Sequence, residues 1–500
     1  MPTRDPKASP SRRAPARGLV PRAVSDLLRH ARASNTPLRP EVEPIGVALP
    51  RVLREAETRD EEGLAARLLS AWSDTVRAHV EAGTHEVSLS GGVDSAALCA
   101  MAARHAPGKV RAWTMDVHFA DAVERSNARR MAKVTGAELV DVLIPDAVLP
   151  DLFEHAVLAN QTVILNARAV ASYVFYLEAR RQGAGPVLLS GAGADEVLRG
   201  NPVAIASAKA RVDEDRALAA QVLAAVDNSR ATFRADSRDH EDLPRAAQEA
   251  VDKSDRPGDG APHRDQESKP STRPATGAPA PENPGADQAG ARRGTSAPVD
   301  NLRAVSEGED SDHAPSAPPV DNLGTGLAAP WELPSEDALL SEELRYAKWV
   351  LTELILPPEL RGARAHGLTV RTPYLDEGFA RMALALPESV LLREGFGKWL
   401  FRHAVRSLVP EEVRLARKTP RYGHTALSSP VRSRWLELYR AWLSPERLEP
   451  LQVIDSRAVR GLLERYTRLP PDDLRAGPMD RLLMRLVSLA MLQVHPKAPS

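Results

Sequence analysis

The chain has 500 residues, a formal net charge of -1 at pH 7 and one cysteine. A near-neutral balance gives no global field for a nucleic acid or an anionic membrane surface. No run is apolar and long enough to span a bilayer, and Cys99 alone excludes an internal disulfide framework or a cysteine-rich zinc site. In its apolar helix Cys99 reads as a small buried hydrophobe.

The N-terminus, Met1 to Arg22, is basic and Pro-rich without an apolar signal core, and residues 1–60 read as an arm, disordered or in part helical. A soluble, cytoplasmic protein is the expectation. Leu64, Leu68, Leu69, Trp72, Val76 and Val80 then recur at helical spacing over residues 61–82. Strand and helix patterns alternate next: strands at 85–89, 110–115, 138–144 and 187–189, and helices from Asp94, at 122–135, 149–159 and 166–181. Such alternation predicts an α/β fold, a parallel sheet with helices on both faces, over residues 61–227.

From 228 to 330, Pro, Gly, Ser, Asp and Arg dominate and large apolar side chains are sparse. Such a composition cannot offset its ordering entropy, so a disordered insertion is expected within one catalytic domain. It holds a near-repeat, Ser296 to Leu302 and Ser316 to Leu323, which reads as low-complexity drift before it reads as a docking peptide. Residues 331–500 are expected to be mostly helical, with helices from Ser335 and at 398–408, 432–442, 456–466 and 479–494.

The chemistry concentrates where strands end. Ser90-Gly91-Gly92-Val93-Asp94-Ser95 turns from a strand into a helix. Such a turn gathers backbone N–H groups at the positive end of the helix dipole, which suits a phosphate. Asp94 would repel a bare phosphate, so it makes sense with a divalent cation between them. A plain strand–helix turn with an Asp/Ser cap is the alternative use. Ser190-Gly191-Ala192-Gly193-Ala194-Asp195-Glu196 repeats the arrangement after the strand at 187–189. Two such turns on one sheet can set Asp94 and Asp195 on either side of a metal–pyrophosphate unit; the alternative for Asp195-Glu196 is a pair of acids at a helix start.

The first turn resembles the SGGxDS phosphate loop of ATP pyrophosphatases and lacks the lysine of a Walker A loop. Together with Arg371-Thr372-Pro373-Tyr374-Leu375-Asp376, Gly397-Lys398-Trp399-Leu400-Phe401-Arg402 and Arg414-Leu415-Ala416-Arg417-Lys418-Thr419-Pro420, the ordered set resembles the synthetase domain of asparagine synthetases over about residues 64–423. The resemblance implies an adenine nucleotide α-hydrolase-like core and an ATP-dependent, AMP-forming carbon–nitrogen ligase using Mg²⁺. Under it, Ser90, Gly91, Gly92, Val93, Ser95, Gly191 and Gly193 hold the phosphates. Thr114 and Met115 lie against adenine, and Asp94 and Asp195 ligate the metal. Lys418, Arg371 and Lys398 are the implied catalytic cations; a solvated basic face for Lys418 and an Arg371–Asp376 ion pair are the structural alternatives.

Two departures stand out. Glutamine-using relatives carry a catalytic cysteine after the initiator Met, where this chain has Pro2, so free ammonia, a separate ammonia-supplying partner or another amine is expected. The family pattern also has Glu two residues before the Arg of the RxP[FY]LD motif, near the attacking amine; here that residue is Thr369, with His366 and Glu377 nearby in sequence. A hydroxyl is a poor general base near neutral pH. The expected substrates are a small carboxylate, aspartate by default, and ammonia or an amine, with neither nucleic acid nor membrane as partner. The alternatives are a specialised amide-forming cyclase, like β-lactam synthetases or lasso-peptide cyclases with a peptide partner, and a catalytically reduced ATP-binding regulator.

Overall fold

A computed structural model describes residues 18–30, 38–57, 60–199, 204–224, 328–332, 340–417 and 424–495. These belong to one unit drawn from residues 1–227 and 321–500. Residues 228–320, the body of the expected insertion, lie outside the described residues, as does the near-repeat.

Five parallel strands form the sheet: β1 (Glu86–Ser88), β2 (Arg111–Asp116), β3 (Glu138–Leu143), β4 (Val187–Leu189) and β5 (Thr369–Arg371), in the order β3-β2-β1-β4-β5. β1 pairs with both β2 and β4, with Val87 opposite Ala112 on one side and Leu189 on the other. The chain therefore winds outward in both directions from β1, and β1/β4 is the switch point, where the crevice beyond the carboxyl ends receives a ligand.

Alternation along the strands sends apolar side chains to both faces. Val87, Ala112 and Leu189 join a core with helices Glu61–Glu81, Val93–His105, Ala122–Thr135, Glu377–Leu384 and Trp399–Ala404. Trp113, Val142, Leu188 and Val370 join another with helices Phe153–Asn160, Ala167–Arg181 and Ala476–Val494. Both faces are covered, as expected of a parallel sheet. Local signals set several boundaries. Asp60 accepts from Gly63 N at 2.8 Å, Asp121 from Glu124 N at 2.9 Å, and Gly136 ends the helix at φ 68°. The Ala-rich helix Val93–His105, with Cys99 in it, is buried nearly all round.

Several expectations change. The helix expected over 149–159 is two, Val148–Asp151 and Phe153–Asn160, broken at Leu152. Residues 351–362 form wide π turns, Leu351–Ile355 and Pro357–Gly362. Pro357 and Pro358 have no N–H for an α ladder, which favours the wider winding. Within the arm, expected to be largely disordered or partly helical, Pro21–His30 is a helix burying Ala23, Val24, Leu27 and Leu28, and Leu19 N donates to Gln493 Oε1 at 2.7 Å. The expected insertion also ends too late, because Ala329 and Trp331 are buried against Ala208 and Val212. Helix Ala204–Ala220, which carries those two residues, had no counterpart in the expected elements.

The flanks of the insertion hold themselves in place. Ala224 N donates to Val453 O at 3.0 Å, and Arg216 Nη2 to Ala328 O at 2.5 Å. Replacing residues 228–320 with a short Gly/Ser linker is expected to leave solubility and melting temperature near wild type. A large loss in a thermal melt would show that the segment carries part of the core.

Asp480 yields a pH prediction. It is buried and accepts from Tyr439 Oη at 2.8 Å, Tyr466 Oη at 2.5 Å and Ala426 N at 3.3 Å. Burial raises its carboxyl from 3.8 to about 6 against the pull of those donors. The folded state thus holds this proton more tightly than the unfolded chain, so Asp480's contribution falls as pH rises from about 4 to 6 and then levels. The stability of Asp480→Asn relative to wild type is expected to rise over that interval and flatten above it, read by thermal melts at each pH.

Candidate active site

The two glycine turns meet at the carboxyl ends of β1 and β4. In the first, Ser95 Oγ accepts from Ser90 N at 3.1 Å and Gly91 N at 3.2 Å and donates to Gly92 O at 3.1 Å. The Ser95 hydroxyl, expected to face phosphate, is therefore the internal pin of the loop. The amides of the first turn of helix Val93–His105 have no partner within the helix and face outward as a group. Gly91 is at φ +89°, and a Cβ there would meet Glu124 O at 1.8 Å. Gly92 has open space, with Ser90 Oγ at 3.7 Å as its only near neighbour.

In the second turn, a Cβ on Gly191 would lie 3.4 Å from Ser95 N, so the turns pack against each other. Gly193, at φ +91°, leaves room for Leu375, whose Cγ would be 2.5 Å from a Cβ. Ala192 N donates to Ser190 Oγ at 3.3 Å, and Ser190 N donates to Arg371 O at 2.8 Å.

Asp94 and Asp195 converge on one cation. Lys398 Nζ lies 2.5 Å from Asp94 Oδ2 and 2.8 Å from Asp195 Oδ1, and the lysine is only 4% exposed. Its backbone is left-handed, φ 61° and ψ 31°, between the hairpin β6 (Leu392–Arg393) with β7 (Phe396–Gly397) and helix Trp399–Ala404. A non-glycine residue there costs on the order of 1 kcal/mol. Asp94 Oδ1 is buried with no hydrogen-bond partner among the described residues. No group of three or more His, Cys, Asp or Glu gathers as a metal site among the described residues.

The surroundings fix this pair. Tyr374 Oη donates to Asp94 O at 2.9 Å, and its ring stacks on Trp72 at 4.1 Å beside Phe379 and Phe401. Burial, then the charges of Asp94 and Asp195, push the Tyr374 phenol well above its ordinary value. Arg402, buried beside the same acids, donates from Nε to Gly397 O at 3.0 Å and from Nη1 to Arg414 O. Burial lowers its guanidinium, and Asp94 and Asp195 oppose that.

A profile of the asparagine synthase family matches residues 63–493. The chain belongs to the asparagine synthase family. Membership places it among ATP-dependent ligases of the amidotransferase kind. A search of curated protein sequences finds no match to the chain.

The remaining expected residues divide. Thr114, buried, and Met115 lie near the carboxyl end of β2 beside β1, and Arg125 Nη1 donates to Met115 O at 3.2 Å. Arg371 contributes its carbonyl to Ser190; its side chain is exposed and makes no ion pair among the described residues. The expected partner Asp376 instead meets His79 Nε2 at 2.7 Å. Lys418 lies outside the described residues; Arg417, its neighbour, sits over the ring of Phe396, in the hairpin that leads to Lys398, at 5.6 Å. Thr369 is exposed at the amino end of β5, where its N donates to Pro186 O at 2.8 Å. It is two residues from the carboxyl end, roughly 6.6 Å along the strand. His366 packs on Tyr173 and Glu377 pairs with Arg381.

One carboxylate escaped the reading of the sequence. Glu359, on the second π turn, accepts from Ser190 Oγ at 3.2 Å and from Tyr176 Oη at 2.5 Å through the same oxygen, Oε2. Burial and Glu359 hold the Tyr176 phenol well above its ordinary value, so it remains a donor. The only local signal was Pro357-Pro358 ahead of an acidic residue.

The glycines give a contrasting pair of variants. Gly91→Ala is expected to lose on the order of 3 kcal/mol or fail to fold, because backbone strain and a backbone clash coincide. Gly92→Ala, at φ -74°, is expected to keep the wild-type melting temperature while weakening nucleotide binding. Thermal melts and a nucleotide titration separate the two roles; the reverse pattern would exclude them.

Proposed function

We propose that this ligase adenylates a small carboxylate with ATP and passes the acyl group to ammonia or an amine, with aspartate and ammonia as the default pair. The observation that carries the reading is the convergence of Asp94 and Asp195, from adjacent strand ends at the switch point, on one buried ammonium. The substrate carboxylate oxygen bonds to the α-phosphorus as the α–β bridging bond breaks and pyrophosphate leaves. The amine nitrogen then attacks the acyl carbon, loses a proton and displaces AMP.

The chain supplies each need. Helix-start amides and the open space at Gly92 suit the phosphates. The end of β2 at Thr114 and Met115 offers a wall for adenine. Asp94 Oδ1, buried and without a hydrogen-bond partner among the described residues, and the Asp195 carboxylate fit a divalent cation, and Mg²⁺ bound there would neutralise charge on the departing pyrophosphate. Lys418 is the expected further cation at the reacting centre.

Glu359 takes the role that the sequence left without an owner. It hydrogen-bonds the serine that opens the second turn, and a carboxylate there can accept the proton of the attacking amine. Thr369, at the opposite end of β5, is remote from that step.

ATP–pyrophosphate exchange across a panel of carboxylates, with analysis of nucleotide products, tests the reading. AMP and pyrophosphate are expected; ADP and phosphate with a cognate substrate would exclude it. In single-turnover assays, Glu359→Gln is expected to retain exchange but slow amide formation by about 10²-fold. Thr369→Glu is expected to change neither. An equal loss of both steps in Glu359→Gln would assign Glu359 to the fold instead.

A further inference from the structure

Lys398 occupies the place between Asp94 and Asp195 that a cation would otherwise hold. Three observations say this is built rather than incidental. The side chain is buried at 4% exposure, a poor place for an ammonium without paired acids. Its backbone takes the left-handed region, which for lysine is held only by the surrounding structure. That structure is locked on both sides: Trp399 N donates to Leu391 O at 3.1 Å, Arg402 N to Lys398 O at 2.9 Å, and Arg402 Nε to Gly397 O at 3.0 Å.

We infer that Lys398 is a resident stand-in cation that keeps a divalent metal from entering the two-acid site alone and so couples metal entry to the nucleotide. The inference rests on the adenylating-ligase reading. A bare divalent ion must share Asp94 and Asp195 with an ammonium already bonded to both, and like charges in a partly buried site repel. A nucleotide changes the balance. Its phosphates supply new acceptors for the ammonium and further oxygens for the metal, leaving the carboxylates to be shared. Asp94 Oδ1, buried and without a partner among the described residues, is the lone pair the arriving metal would take first. Lys398 is in this respect a positioning residue. It holds the two acids on one cation and so would give the metal–nucleotide complex preference over either component.

Mn²⁺ binding followed by electron paramagnetic resonance tests this without turnover. Wild type is expected to bind Mn²⁺ weakly alone and at least about tenfold more tightly with α,β-methylene-ATP. Lys398→Met is expected to bind Mn²⁺ alone about tenfold more tightly than wild type and to lose most of the enhancement by nucleotide. Lys398→Asn gives a second reading on a side chain that tolerates left-handed backbone, and decides the matter if the methionine variant does not fold. Adding Asp195→Asn to either is expected to abolish the gain. Folded variants with no tighter Mn²⁺ binding than wild type would overturn the inference. Failure of wild type to bind the manganese nucleotide would overturn the ligase reading instead, while the Mn²⁺ gain in the variants would still support the stand-in role.

Discussion

The site depends on one buried ammonium shared by two carboxylates. Without it, Asp94 and Asp195 would face each other from adjacent turns, and two like charges about 5 Å apart at an effective dielectric near 20 repel by about 3 kcal/mol. Lys398 offsets that repulsion, and the acids in turn make its own burial tolerable. Much of the later chain serves to aim this side chain. The β6–β7 hairpin delivers it, Arg402 ties the hairpin to the carbonyl of Arg414, and the guanidinium groups of Arg402 and Arg417 both lie 5.6 Å from the Phe396 ring. Two sequence motifs, Gly397–Arg402 and Arg414–Pro420, are thus parts of one support.

Topology explains why this support must come from so far along the chain. β1 and β4 bring their turns side by side, but each turn is shaped by residues beyond it. Tyr374 reaches Asp94 O from 280 positions away, and Leu375 fills the space that Gly193 leaves. The Trp72–Tyr374–Phe379–Phe401 cluster anchors that reach in the core beneath the sheet. The motif around Tyr374 therefore acts mainly through packing and a backbone carbonyl. That places Arg371, exposed, outside the direct contacts of the two acids.

What could be read in advance was what local chemistry encodes. Alternating strand and helix patterns located four of the five strands and several helices, with Val187–Leu189, Ala122–Thr135 and Arg432–Trp442 placed to the residue. The two Gly-rich turns located the acids. What could not be read depends on pairing across the chain. β5 is three residues long and is a strand only because β4 lies beside it. Thr369 looked close to the chemistry because it is close to Arg371 in sequence, but two positions along a strand carry it to the other end of the sheet. Glu359 gave only the weak signal of Pro357-Pro358 before it, because its partners, Tyr176 and Ser190, lie 183 and 169 positions away. Lys398 was visible as a cation, but its bridge to both acids was not.

The placement of Glu359 divides the site along β4. On the β1 side, Asp94, Asp195 and Lys398 carry a net charge of -1 together, a surface that rejects a bare polyphosphate and accepts one accompanied by cations. On the other side, the half-buried Glu359 carboxylate is held by two hydroxyl donors and is not bonded to those acids' shared counter-ion. Ser190 is the hinge between the halves: its backbone N–H binds β5, its hydroxyl binds Glu359 and accepts from Ala192 N, and its successor Gly191 packs on the first turn. A two-step reaction in which charge is first drawn onto pyrophosphate and a proton is later removed from an amine needs such a division. A base placed among the metal-binding acids would share their cations, whereas Glu359, across β4, takes its hydrogen bonds from Tyr176 and Ser190 instead.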